Sequence, residues 1–295
     1  MVVDKNVCDS SNVKVIDEMG GFKVIEHQKD LSVSMSEATE EYYMSKMNLM
    51  KRQVLIDLNN DSYILQAGAM QWMSENVTMS SGIKGVGNFL GKMVSAKVTG
   101  ETTAKPVYTG TGKLMLEPTY KYILLIDVSK WGTIVLDDGL FLACQDSLEQ
   151  KVVARSNVSS AVFGGEGLFN LSLSGKGILA CESNVPMEEL IEIELNDDVL
   201  KIDGNMAVAW SGSLKFTVEK SAKSLLGSAI SKEGLVNVYR GTGKVLMAPT
   251  AREKWSNTPE DSDSKNGKST SKSDKVSGAI DGAIDIIGSV LDSLG

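Results

Sequence analysis

The sequence predicts an all-β protein in which one small module is written three times, followed by a tethered amphipathic helix. Three observations carry this prediction. An apolar block recurs as Asn59–Met70 (NNDSYILQAGAM), Asp137–Leu148 (DDGLFLACQDSL) and Asp203–Leu214 (DGNMAVAWSGSL). A glycine phrase recurs as GTGKLMLEPT from Gly110, GKGILACES from Gly175 and GTGKVLMAPT from Gly241. Short β-branched or alternating runs dominate the chain up to Trp255. Internal self-similarity at a steady period marks a repeated supersecondary unit.

Aligned without gaps, Tyr63, Phe141 and Ala207 share a column, as do Ile64, Leu142 and Val208, and Met70, Leu148 and Leu214. Asp137 and Asp203 are 66 residues apart, whereas Asn59 and Asp137 are 78 apart. The excess is assigned to the glycine-rich run from Ser80 to Pro106, read as a surface loop, because irregular backbone leaves unsatisfied polar groups when buried. Within it, Gly82–Gly91 is a candidate contact element. A unit of this length suits a small β module rather than a spiral of helix pairs.

The elements follow in order. FKVIEHQKD, around His27, reads as an N-terminal strand. Ser34–Leu49 reads as a helix opened by a Ser34/Glu37 capping box, or as an entry into a strand at Tyr42. Val54–Leu58, Tyr122–Val128, Thr133–Leu136, Leu168–Leu173, Leu190–Leu195, Val199–Ile202 and Lys215–Val218 are strands bounded by Gly, Asn, Asp and Ser. In LIEIEL, Leu190, Glu192 and Glu194 form one face and Ile191, Ile193 and Leu195 the other. Asn60-Asp61, Asp138-Gly139 and Gly204-Asn205 share a column and suit tight turns. Ser221–Ile230 is a weak helix candidate. Ser256–Ser277 is almost devoid of apolar side chains and reads as a flexible linker. In Gly278–Leu294, Ile280, Ile284, Ile287, Leu291 and Leu294 recur at helical spacing, with Asp281, Asp285 and Asp292 between them. The organisation is therefore an N-terminal segment (1–51), β modules at 52–120, 121–186 and 187–255, a linker (256–277) and an amphipathic helix (278–295).

Composition excludes several functions. The net charge is −8, and only four of the 30 basic residues are arginine, which disfavours nucleic acid as a partner. Cys8, Cys144 and Cys181 are odd in number and lack CxxC spacing, which points to reduced thiols in a cytoplasmic compartment. The N-terminus has no signal-peptide pattern, and no run is long enough to span a bilayer as a helix. These features predict a soluble protein.

Candidate chemistry is sparse. His27 is the single histidine, so a triad or a multi-histidine metal site has little to build on. Leu114 and Val245 follow the lysines of the two GTGK phrases, where a phosphate loop requires Ser or Thr. Each GxG is better read as a bend or bulge where backbones approach closely. Asp137 and Asp138 fit turn chemistry, and Cys144 and Cys181 sit in apolar runs as small buried hydrophobes. The sequence offers no catalytic residue, metal site or cofactor, and the expectation is a protein that is not an enzyme. The acidic tail helix suits a protein groove or a second copy better than an anionic membrane, so peripheral membrane contact ranks lower.

RQVLIDLNN (Arg52–Asn60), GAMQWM (Gly68–Met73), EPTYKYILL (Glu117–Leu125), DDGLFLAC (Asp137–Cys144), GGEGLFNLSLSGKG (Gly164–Gly177) and APT (Ala248–Thr250) occur in one order. Through them the chain resembles the altered inheritance of mitochondria protein 24 family over roughly Met47–Thr250. The resemblance implies a fold similar to the tryptophan RNA-binding attenuation protein superfamily. There, three β-sandwich or double-stranded β-helix-like modules surround a pseudo-threefold axis. Bacterial members are mostly uncharacterised, and mitochondrial relatives are linked to inner-membrane architecture. No catalytic residue carries over, and neither does RNA binding.

The expected function is an assembly or interaction scaffold that forms a homo-oligomer, with a protein partner engaged through Ile280, Ile284, Ile287, Leu291 and Leu294. The alternative is a small-ligand or RNA-binding module whose rim would be Lys113, Lys176 and Lys244, three lysines placed in one repeat column.

Overall fold

Strand β3 (Arg52–Leu65) organises the molecule, and its composition explains why. Val54, Ile56 and Leu58 enter the main core, while Leu55 packs with Ile25 and Met115 on the opposite side. A strand covered on both faces needs a continuous apolar run rather than an alternation. The computed structural model describes residues 5–81, 105–154, 169–203, 206–220 and 235–250. These lie within one compact unit that ends at Arg252.

Among the described residues there are 16 strands and one α-helix, so the fold is mostly β. Before β3 come β1 (Val13–Met19), β2 (Phe22–His27) and α1 (Ala38–Lys46). After it come β4 (Met70–Met73), β5 (Val77–Ser80), β6 (Val107–Leu116), β7 (Tyr122–Asp127), β8 (Thr133–Leu136) and β9 (Phe141–Gln145). The chain continues with β10 (Glu149–Ala154), β11 (Phe169–Ser174), β12 (Ile178–Ser183) and β13 (Ile191–Asp203). β14 (Ala207–Ser211), β15 (Lys215–Lys220) and β16 (Leu235–Met247) complete it. A nine-stranded sheet runs β1-β2-β3-β9-β12-β7, with β6 on β3 and both β4 and β5 on β6. A seven-stranded sheet runs β10-β11-β8-β14-β16-β13, with β15 on β16.

Three stretches use the same pairing register. Met70 stands opposite Leu116, Phe141 opposite Cys181 and Ala207 opposite Met247, each followed by a one-residue bulge. In β3, Asn60 takes a φ of 58° and donates its amide to Thr111 Oγ1 at 3.0 Å. In β13, Asp197 takes a φ of 52° and donates its amide to Thr242 Oγ1 at 3.0 Å. The stretches also meet in one way. Tyr63–Leu65 of β3 pair with Gln145–Ala143 of β9, and Ile134–Leu136 of β8 pair with Ser211–Ala209 of β14.

This register corrects part of the sequence alignment. Phe141 and Ala207 do correspond, but their counterpart in the first stretch is Met70, seven residues beyond Tyr63. Leu148 and Leu214 correspond as expected, and their counterpart is Val77: the three side chains are buried, and their amides donate to the carbonyls of Gln145, Ser211 and Ser74. Asn60 therefore marks a bulge within β3 rather than a turn. The turn that matches Gly139 (φ 78°) lies at Gly68 (φ 83°).

The helix prevails over the strand alternative for Ser34–Leu49, and it is shorter than predicted. Ser34 donates its hydroxyl to the Glu37 carboxylate at 2.6 Å, and the N-cap residue Glu37 makes no side-chain cap. The Glu37 amide donates to the Ser34 carbonyl at 3.1 Å and not to its hydroxyl, so the predicted capping box does not form. The run Val199–Ile202, read as a separate strand, is the second half of β13. Gly82–Gly91, Ser221–Ile230, the linker and the predicted C-terminal helix lie outside the described residues.

Candidate functional site

Among the described residues, a densely connected polar cluster lies where α1 and the segment before it meet the sheet. Arg52 begins β3 and is 2% exposed. Its Nε and Nη2 donate to Glu26 Oε2 at 3.1 and 2.8 Å, and its guanidinium lies 4.4 Å from the Tyr122 ring centroid. Further donations reach the Asn48 carbonyl and side-chain oxygens, both at 3.1 Å. A buried cation is tolerated only when paired and hydrogen-bonded, and every contact here meets that requirement.

Beside it, the Tyr120 hydroxyl lies 2.9 Å from both Asp30 Oδ2 and Glu41 Oε1. One phenolic proton thus serves two carboxylates. Lys51 Nζ closes the group at 2.7 Å from Asp30 Oδ1. Burial alone would raise the Asp30 carboxyl, but hydrogen bonds from Lys51, the Ser32 amide and Tyr120 hold it below its ordinary value. Burial, reinforced by both carboxylates, pushes the Tyr120 phenol well above its ordinary range. The arrangement is a latch: it fastens α1, which buries no residue of its own, to the loop that leads into β7.

The glycine phrases are close-approach points, as the sequence indicated. Gly110 has a φ of 145°, and a Cβ there would collide with the carbonyl oxygen of Asn76. Gly112 is equally constrained, by the Ser74 side chain. Next to each phrase a side chain accepts a backbone amide. Ser74 Oγ takes the Lys113 N–H at 3.0 Å, Gln145 Oε1 the Ile178 N–H at 2.8 Å and Ser211 Oγ the Lys244 N–H at 3.0 Å.

The predicted lysine rim is not one column. Lys113 stands opposite Asp57 and Lys244 opposite Glu194, but the matching place on β12 is held by Ile178, opposite Asp127. Lys176 falls one residue after Gly175, the place that Thr111 and Thr242 hold in the other two phrases. Lys244 Nζ is engaged by Glu192 Oε2 at 3.1 Å and by the Trp131 ring at 4.3 Å. The tail residues Ile280, Ile284, Ile287, Leu291 and Leu294 lie outside the described residues.

His27 is half-buried and shares a 2.9 Å hydrogen bond with Gln53 Oε1, a structural place. Cys144 and Cys181 are fully buried, and burial pushes the Cys144 thiol up to about 12. Among the described residues no group of three His, Cys, Asp or Glu is disposed to hold a metal ion, and no helix is long and apolar enough to cross a membrane. The latch was not foreseen in the sequence: Tyr120 is 90 residues from Asp30 and 79 from Glu41, so no local spacing announces it.

Comparison with known proteins places the chain in a family and gives its fold a solved counterpart. The family model described as mitochondrial biogenesis AIM24 matches residues 47–250. A protein from Streptococcus pyogenes serotype M6, described as uncharacterized, is 33% identical over a 214-residue alignment that covers 70% of this chain and 84% of that one. The crystal structure of a Streptococcus pyogenes protein superposes with a TM-score of 0.50 at 27% identity, covering 68% of this chain and 88% of the other.

Proposed function

The chain belongs to the mitochondrial biogenesis AIM24 family, and on that footing we propose that it is a non-enzymatic assembly and interaction scaffold that associates with copies of itself. Three β modules around a pseudo-threefold axis form its body, and it works in a reducing, cytoplasmic setting. The observation that supports this reading is the repeated junction, β3 on β9 and β8 on β14 in one register. Applied again, the same step carries the chain around an axis, and a body of that kind offers flat faces to further copies. A module of about 66 residues buries too little surface to stand alone, so the modules serve as one platform.

Light scattering of the full chain and of a chain ending at Trp255 tests the proposal. A mass above that of one chain in the full-length sample is the expected result, and the shortened chain shows whether residues 256–295 contribute to it. One chain per particle in both samples at every concentration would overturn it.

A further inference from the structure

We infer that the outer face of α1 is a self-association surface, on which two copies of this chain pack with their helices antiparallel and centred on Tyr43. The inference rests on the scaffold reading above and names the contact that such a scaffold uses.

Among the described residues, six large apolar side chains are more than half exposed, and five of them lie between residues 31 and 47: Leu31, Met35, Tyr42, Tyr43 and Met47. Single exposed apolar residues are ordinary, but this concentration is not. The inward side of α1 is accounted for, since Glu41 reaches Tyr120 and the partly buried Met44 and Ser45 share its side. The outward side carries Thr39, Glu40, Tyr43, Lys46 and Met47, all exposed and spaced three or four apart. Tyr43 is 64% exposed and Met47 74%.

The charges on this face select the occupant. Glu40 lies three residues before Tyr43 and Lys46 three residues after it. In an isologous antiparallel pair each contact occurs twice, so Glu40 of one copy meets Lys46 of the other on both sides of the Tyr43 pair, and Thr39 meets Met47. The chain's own tail is a poorer occupant, because its charged side chains, Asp281, Asp285 and Asp292, carry the same sign as Glu40 and offer it no cation. An anionic membrane meets the same repulsion. A contact of this kind buries at most about 1,200 Å² in total, which suits reversible rather than obligate association.

Sedimentation equilibrium of the full chain supplies the test, with circular dichroism as a check that each variant is folded. Glu40→Lys and Lys46→Glu are each expected to weaken association about tenfold, because each sets like charges opposite one another. The double variant Glu40→Lys/Lys46→Glu restores it, and Tyr43→Ala weakens it without rescue. If the chain associates but none of these substitutions changes its association constant, the α1 surface is wrong while self-association stands. If removal of residues 278–295 abolishes association and the charge reversals do not, the tail is the contact instead. A chain that stays monomeric throughout would sink both this inference and the scaffold reading.

Discussion

Ser74 and Ser211, 137 residues apart, hold equivalent places: each hydroxyl oxygen accepts the amide of the lysine that follows a GxG pair, at 3.0 Å in both cases. Gln145 does the same for Ile178 with a longer arm, and its Nε2 also donates to the Gly20 carbonyl at 3.1 Å. Ser74→Ala and Ser211→Ala should therefore cost about 1 kcal/mol each, and Gln145→Ala roughly twice that. Urea unfolding midpoints read the difference. Unequal costs for the two serines would mean that their shared register does not translate into shared energetics.

The glycine phrases give a sharper contrast. An alanine Cβ at Gly110 meets the Asn76 carbonyl, whereas at Gly241 the nearest atom is the Ser213 carbonyl oxygen at 3.8 Å. Both positions have positive φ, 145° and 117°, so both substitutions carry backbone strain of about 1–3 kcal/mol. Gly110→Ala should exceed Gly241→Ala by the cost of moving the β4–β5 turn. Thermal melts of the two variants should separate by several degrees, Gly110→Ala being the lower.

The latch carries a pH signature. The Asp30 carboxyl is held below its ordinary 3.8 in the folded protein, so its contribution is present above that pH and lost as the pH falls through the folded value. The Tyr120 phenol is held above its ordinary 10.0, so its contribution is present below that pH and lost as the pH rises. Tyr120→Phe should cost about 1.5–3 kcal/mol at neutral pH, the range for hydrogen bonds to charged groups. It should also speed amide exchange in α1 while leaving β3 protected. The gap between wild type and variant should narrow at both pH extremes.

Thiol chemistry offers an independent check. Cys8 is exposed, whereas Cys144 and Cys181 are buried in the core, and the Cys144 thiol is pushed up to about 12. A soluble disulfide reagent at neutral pH should titrate one thiol per native chain and three after denaturation.

The β class, the close-approach glycines and the buried cysteines were legible because each depends on local residue type, whereas Ser34–Leu49 left helix and strand both open and the structure forms a helix only over Ala38–Lys46. The register of the first stretch was not. NNDSYIL and DDGLFLAC share a polar-then-apolar outline, so a gapless comparison slipped by seven residues. The features that set the true register are backbone properties, the bulge at Asn60 and the turn at Gly68. The Arg52–Glu26 pair escaped for another reason: its two members lie on neighbouring strands, 26 residues apart, and become partners only through the β2–β3 pairing. Lys176 was misplaced by a GKG that resembles GTGK in letters but not in register.

The junction of Tyr63–Leu65 with Gln145–Ala143 has a consequence for how the molecule comes apart. Separating those strands would bare a row of amides and carbonyls on each, alongside the fully buried Tyr63, Leu65, Ala143 and Cys144. A fragment cut between β6 and β7 would carry that raw edge into solution and would seek any strand able to cover it. Limited proteolysis should accordingly give either an intact body or aggregate, with no soluble third.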